Sequence, residues 1–226
     1  ELRAVGTEYQ RYLTATHSFR DKYLALPGDM LNATAFWGKD AAACPAHSGT
    51  AALPGTCNGD GSGFVGGAGV PSQTNERMQF WKQLALAGLI EGTYTGLTGP
   101  NGPQHGLPGE NIPRSKMNNG SWFAHNITST NGSADMYAIS YGNNFYFSAR
   151  GGATDTIDPI LAPEEAWNID MKFDDGRPAY GKVVARYWNN LCAAANNGAH
   201  SEANLDASYK LSDPAVRCAL YFPQSF

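Results

Sequence analysis

Residues 19–30 read FRDKYLALPGDM, and this stretch marks the end of a long amphipathic helix. Pro27 disfavours a helical backbone for the residue before it and Gly28 can adopt a positive φ, so the helix should stop near Leu26. No capping residue precedes the first periodic position, so we expect the pattern to continue ahead of Glu1. The helix is predicted over residues 1–26, with one mainly apolar stripe formed by Leu2, Val5, Tyr9, Tyr12, Thr16, Phe19 and Tyr23.

The composition is typical of one loop-rich globular domain. The chain has 226 residues, of which 26 are glycine and only 16% are charged, so turns and aromatic packing should dominate a single domain over 1–226. The net charge is -4 and no stripe of lysine and arginine forms, so nucleic acid is not an expected partner. No run approaches the roughly 20 apolar residues that cross a bilayer.

The four cysteines predict two disulfides and an oxidising compartment. No C-x-x-C pair is present, which argues against a zinc site. Four cysteines allow three pairings, and we expect the local one because it closes two short loops. The alternative is four buried free thiols in a cytosolic protein. The expected pairs are Cys44 with Cys57 and Cys192 with Cys218.

The remaining chain alternates long loops with short regular elements. Glycine and proline punctuate two long surface loops, over 40–71 and 96–120. A second helix is predicted over 74–90, capped by Ser72 or Thr74, and a short third helix begins at Pro163. Alternation of period two predicts strands over 121–127, 135–141, 144–149, 181–187 and 218–222, with a tight turn at Gly142-Asn143.

Three blocks of the sequence are informative beyond their hydrophobic periodicity. They are FRDKYLALPGDMLNATAFWG, FWKQLALAGLIEGTY, and EEAWNIDMKFDDGRPAYGKV ahead of a C-terminal cysteine pair. Together they resemble the type IV pilin and type II secretion pseudopilin superfamily. The resemblance implies an α+β fold in which a long N-terminal helix packs on an antiparallel sheet of four or five strands. Residues 1–26 would be the second half of that helix and 27–226 the globular head, with a leader and a hydrophobic first half ahead of Glu1.

The resemblance also implies a function. The chain would be a structural filament subunit and not an enzyme, with loops 40–71 and 96–120 exposed. Its partners would be other copies of itself, related pilin-like subunits, and an inner-membrane assembly machinery reached through the N-terminal segment. The filament would be periplasmic or extracellular, and the full-length form would be anchored in the inner membrane before assembly. The side chains expected to hold the head together are Phe19, Tyr23, Trp37, Trp81 and Trp167.

The stretch CNGDGSGFVGG at residues 57–67 predicts a candidate calcium site, because oxygen donors recur at alternate positions as at the start of an EF-hand loop. Gly69 stands where an EF-hand places its bidentate glutamate, so a later carboxylate would have to close the site. The alternative is a glycine-rich turn whose polar side chains bond their own backbone. The candidate ligands are Asn58, Asp60, Ser62, the Phe64 carbonyl and Glu76.

No catalytic constellation is evident in the sequence. The five histidines lack metal-binding or triad spacing, Ser62 lacks the G-x-S-x-G context of a nucleophile elbow, and Asp174-Asp175 is expected to be a turn. A secreted module that binds carbohydrate or another surface is the alternative function. Trp188, beside two asparagines, is its candidate ligand-binding residue. A secreted hydrolase is a third hypothesis, disfavoured because no site assembles.

Overall fold

A computed structural model describes residues 2–66, 75–102, 104–128, 136–149, 158–186, 191–194 and 205–226. The helices are α1 (Leu2–Tyr23), α2 (Ala33–Trp37), α3 (Glu76–Leu86) and α4 (Pro163–Phe173). The strands are β1 (Gly120–Ile127), β2 (Gly142–Ala149), β3 (Val184–Arg186), β4 (Ala193–Ala194), β5 (Ser208–Tyr209) and β6 (Ala219–Phe222). The predicted α+β class, with an N-terminal helix and an antiparallel sheet, is confirmed.

The main sheet has four strands in the order β1-β2-β6-β3, and every neighbouring pair is antiparallel. The β1 and β2 strands pair along their whole length, from Gly120 opposite Ala149 to Ile127 opposite Gly142. The short β6 strand lies inside the sheet because it pairs with β2 on one side and β3 on the other. A separate two-stranded sheet joins β4 to β5.

The apolar stripe of α1 packs on one face of the main sheet. The ring of Tyr9 stacks on Phe222 at 4.2 Å between centroids and meets Phe145 edge-on at 6.3 Å. Tyr12 meets Trp122 edge-on at 5.8 Å. Because these three partners lie on β6, β2 and β1, a single helix covers the centre of the sheet. The predicted helix-on-sheet packing is therefore present, and it includes stacked and edge-on aromatic rings.

The end of α1 differs slightly from the prediction. The helix stops at Tyr23, before the expected Leu26, because Leu24 adopts a left-handed backbone with a φ of 54°. The amide of Leu24 still donates to the Arg20 carbonyl at 2.8 Å. Gly28 has a φ of 84°, so the Pro-Gly pair turns the chain away from the helix as its sequence indicated.

The α3 helix covers the same face of the sheet beside α1. Trp81 meets Tyr12 edge-on at 5.1 Å, and Phe80 meets Phe145 edge-on at 5.8 Å. The helix is capped by Asn75, whose side chain accepts from the Met78 amide at 3.1 Å. The caps predicted from sequence, Ser72 and Thr74, lie outside the described residues. Of the predicted core aromatics, Phe19 and Trp81 are fully buried, whereas Tyr23, Trp37 and Trp167 are half-buried at the edge of the core.

The predicted strand over 135–141 is wrong. Of its residues, 136–141 are described, and they form irregular structure instead. Tyr137 and Tyr141 are buried and Ile139 between them is half-buried, so apolar side chains recur at every second residue of this irregular segment, as they would in a strand. Gly142 begins β2 and pairs with Ile127, so the tight turn predicted at Gly142-Asn143 is also wrong.

Both predicted disulfides are confirmed. Cys44 bonds to Cys57 and Cys192 bonds to Cys218, and all four residues are buried. The second bond connects the small sheet to the main sheet, because Cys192 precedes β4 and Cys218 precedes β6. Within the described ranges, no helix combines the length and the apolar character that crossing a bilayer requires.

Candidate cation site

Three separate segments meet beside the end of α1. The loop 57–66 runs back along the turn that follows α1, with the Gly59 amide donating to the Met30 carbonyl at 2.9 Å and the Gly61 amide to the Asp29 carbonyl at 3.0 Å. The approach is close, because a Cβ on Gly59 would lie 2.3 Å from the Gly28 carbonyl oxygen. The third segment is the start of α3.

Two glutamine side chains of α3 form hydrogen bonds with the turn after α1 and with the start of the loop 57–66. Gln83 accepts from the Gly28 amide at 2.7 Å and donates to the Cys57 carbonyl at 3.0 Å. Gln79 accepts from the Thr56 hydroxyl at 2.9 Å and donates to the Gly96 carbonyl at 3.0 Å. Both glutamines are fully buried, so the loop is fixed to the helix by buried hydrogen bonds.

Three carboxylates converge where the segments meet. One oxygen from each of Asp29, Asp60 and Glu76 lies within 4.8 Å of the other two. Asp29 and Glu76 are buried, while Asp60 is exposed. The sequence predicted Asp60 and Glu76 as partners, and the fold brings them together. It missed Asp29, which reaches the cluster because the loop 57–66 folds back over the turn after α1.

Backbone amides orient these carboxylates. The Ser62 amide donates to one oxygen of Asp29 and to one of Asp60, both at 2.9 Å. Glu76 accepts from the Asp60 amide at 3.0 Å and from the Gly66 amide at 2.9 Å. A carboxylate offers about four lone-pair sites, so each group keeps acceptor capacity for a cation.

The electrostatics of the cluster favour a positive charge. Burial raises the pKa of Glu76 to about 7, and the nearby charges of Asp60 and Asp29 act in the same direction. Burial also raises the pKa of Asp29. The pKa of Asp60 is lowered, chiefly by its hydrogen bond from Ser62. Among the described residues, no lysine or arginine forms an ion pair with these acids, so a proton or a metal ion would relieve their mutual repulsion.

The other predicted ligands divide into two groups. The Ser62 hydroxyl lies 3.5 Å from an Asp29 carboxylate oxygen and 3.4 Å from the Phe64 carbonyl oxygen, so these donors border the cluster. Asn58 points elsewhere, because its side-chain oxygen accepts from the Thr34 amide at 2.9 Å. Carboxylate, hydroxyl and carbonyl oxygens are the hard donors that Ca²⁺ prefers, so the donor set that remains fits calcium.

A second acidic group lies at the end of α4. Asp170 is fully buried and accepts from the Tyr209 hydroxyl at 2.8 Å and the Gly176 amide at 3.1 Å. Asp174 accepts from the Lys182 amide, and Asp175 from the Arg177 amide. These bonds stabilise the turn that the sequence predicted for Asp174-Asp175. The candidate carbohydrate-binding residue, Trp188, lies outside the described residues.

Comparisons with known proteins give no identity for the chain: no protein-family model, no curated protein and no solved structure matches it.

Proposed function

We propose that this chain is the head domain of a filament subunit of the type IV pilus or type II secretion pseudopilus kind, acting by assembly and not by catalysis. The observation that supports this is the two-sided character of α1. Its apolar stripe is buried on the sheet, and its outer side remains available to a neighbouring subunit. The exposed positions on that outer side include Arg3, Thr7, Gln10, Thr14 and Ser18.

The same proposal sets the partners and the location. The partners are other copies of the chain, related pilin-like subunits, and an inner-membrane assembly machinery that engages a segment ahead of Glu1. The head would function outside the cytoplasm, in the periplasm or on the cell surface. The two buried disulfides support this location, because such bonds persist in oxidising compartments.

Site-specific photo-crosslinking in the full-length protein tests this function. A benzoylphenylalanine in place of Thr14, on the outer side of α1, should yield a ladder of multimers in filaments sheared from cells. The same probe in place of Asn118, exposed on a loop, is the matched control and should yield fewer. The gene should also encode an apolar helical segment ahead of Glu1. A native product that lacks such a segment, or equal crosslinking at both positions, would overturn the proposal.

We also propose that Asp29, Asp60 and Glu76 hold Ca²⁺. The ion would join the turn after α1, the loop 57–66 and the start of α3, and would stabilise the head by mass action. Calcium should raise the melting temperature more than magnesium does, because Mg²⁺ demands a stricter octahedral geometry and sheds its water reluctantly. Asp60→Asn should abolish the calcium response. Asp21→Asn, which changes an exposed carboxylate on α1, should keep it; an equal response in both variants would exclude the site.

A further inference from the structure

A cleft separate from the acidic cluster opens along the other side of α1. Its volume is about 520 Å³, within the range of roughly 300 to 1,000 Å³ common for small-molecule sites. Glu8, Arg11 and Tyr12 of α1 form one wall. The facing wall comes from the segments 91–94 and 109–116.

Three cationic side chains line this cleft: Arg11, Arg114 and Lys116. Two of them are held by a single hydrogen bond each. Arg11 donates to the Tyr12 hydroxyl at 2.9 Å, with its guanidinium 4.9 Å from the centre of that ring. Arg114 donates to the Pro108 carbonyl at 3.0 Å. A guanidinium has five N–H donors, so each arginine is positioned by its bond and keeps further donors for a ligand.

The cleft holds three cationic groups against two carboxylates, Glu8 and Glu91, whose charges act on Arg11 from a distance. In the described part of the chain, no carboxylate lies within 4.0 Å of the three groups, although Glu8 and Glu91 line the same walls. Glu8 is directed inward, where it accepts from the Lys116 amide, the Ser115 hydroxyl and the Trp122 indole N–H. Like charges gathered in one concave site repel each other, and a bound anion would offset that repulsion.

We infer that this cleft binds a small multivalent oxyanion carrying carboxylate, phosphate or sulfate groups. The planar guanidinium groups of Arg11 and Arg114 suit bidentate contacts to such oxygens, and Lys116 adds a point charge. The oxyanion could be a free ion or the acidic group of a saccharide, since both present the same oxygens. The inference is independent of filament assembly and of calcium.

Calorimetric titration of the folded head at low, constant ionic strength tests this inference, with phosphate, citrate and a trimer of galacturonic acid as probes. Citrate should bind. Arg11→Gln and Arg114→Gln should each weaken its binding about tenfold, the effect of losing one charge-assisted hydrogen bond. Glu91→Gln should tighten binding, because it removes a competing anion from the wall. Arg3→Gln, exposed on the same helix outside the cleft, is the matched control and should leave the affinity unchanged.

The outcomes distinguish binding in the cleft from attraction of an anion to positive charge anywhere on the protein surface. Tighter binding of the trimer than of citrate would assign the cleft to acidic saccharides, and the reverse order would assign it to free ions. Equal losses in Arg3→Gln and Arg11→Gln would overturn the inference, because the attraction would then follow net charge alone. Absence of binding by all three probes to the folded parent protein would overturn it as well. Melting curves of every variant establish that a lost signal reflects binding and not unfolding.

Discussion

The carboxylate of Glu8 accepts the indole N–H of Trp122 at 2.7 Å, and this bond joins α1 to β1 inside the aromatic core. Glu8 is only 4% exposed, and the Ser115 hydroxyl and the Lys116 amide donate to it as well, at 2.6 Å and 2.8 Å. Three donors compensate the cost of burying the charge. Whereas apolar stacking would tolerate small shifts of the helix along the sheet, this directional contact fixes its position.

Replacing Glu8 should therefore destabilise the head strongly. Glu8→Ala leaves three buried donors without their acceptor, so we expect the free energy of unfolding to fall by about 3 kcal/mol in urea titrations. Glu8→Gln, which keeps one acceptor oxygen, should lose less. Gln10→Ala alters an exposed position on the same helix and should lie within about 0.5 kcal/mol of the parent. Equal stabilities for Glu8→Ala and Gln10→Ala would refute this role.

The burial of Glu8 could not be predicted from the sequence, whereas the apolar stripe of α1 and the disulfides could. The stripe of α1 was predictable because burial imposes a period of 3.6 residues, and the local disulfides were predictable because few pairings exist. A charged residue adjacent to the stripe, however, is expected to face solvent. Glu8 is buried only because donors more than a hundred residues away in the chain surround it. No local pattern carries that information.

The candidate cation site was likewise only partly predictable from the sequence. Asp60 was identified because alternate oxygen donors in a glycine-rich loop follow a known metal-binding pattern. Glu76 was identified as the next carboxylate able to close the site. Asp29 was missed because its approach depends on how the loop 57–66 returns over the turn after α1, which is a tertiary relationship. Asn58 fitted the pattern, yet its side-chain oxygen bonds the start of α2.

The close approach of the turn to α3 gives a second prediction. Gly28 has a φ of 84°, and a Cβ on it would lie 2.2 Å from the Glu76 carbonyl oxygen. Gly63 has a similar φ of 81°, but a Cβ there would meet nothing within 4 Å. Gly63→Ala should cost about 1 to 2 kcal/mol of unfolding free energy, the price of a left-handed backbone. Gly28→Ala should cost a further 1 to 3 kcal/mol or so, because the backbone must move.

Urea titrations of the two glycine variants measure that difference directly. Because both substitutions impose the same backbone cost, the gap between them isolates the steric clash with α3. If the two variants prove equally stable, the turn after α1 does not contact α3 as closely as described.

The disulfides give a third prediction. The bonds span 13 and 26 residues, and loop-closure entropy assigns them about 3 and 3.5 kcal/mol of stability respectively. Paired serine substitutions of Cys192 and Cys218 should therefore cost slightly more than those of Cys44 and Cys57, and they also release the small sheet from β6. Chemical denaturation of both double variants checks this order. The opposite order would indicate that the Cys44–Cys57 bond is needed to hold the loop against α3.

The fourth prediction concerns pH. Burial raises the pKa of Glu76 from 4.5 and of Asp170 from 3.8, each to about 7, so both groups bind protons more tightly in the folded state than in the unfolded chain. Their contribution to stability is present below pH 4 and is lost as the pH rises to about 7. His125 acts oppositely: burial, with the nearby charge of Arg77, lowers its pKa from 6.5 to about 3, so its contribution rises with pH over that interval.

In a metal chelator, the two acids outnumber the histidine, so the melting temperature of the head should fall between pH 5 and 7.5. The fall should be steepest at about pH 6 to 6.5, where the opposing contribution of His125 is fading and both acids still hold most of their protons in the folded state. The double variant Glu76→Gln, Asp170→Asn removes both acids and should reverse the slope below pH 6.5, leaving the rise from His125. Calcium should restore stability in the parent protein more at pH 8 than at pH 5.5, because the ion replaces the proton on Glu76. A melting temperature that stays flat in chelator, together with a calcium effect independent of pH, would show that the three carboxylates do not act as one site.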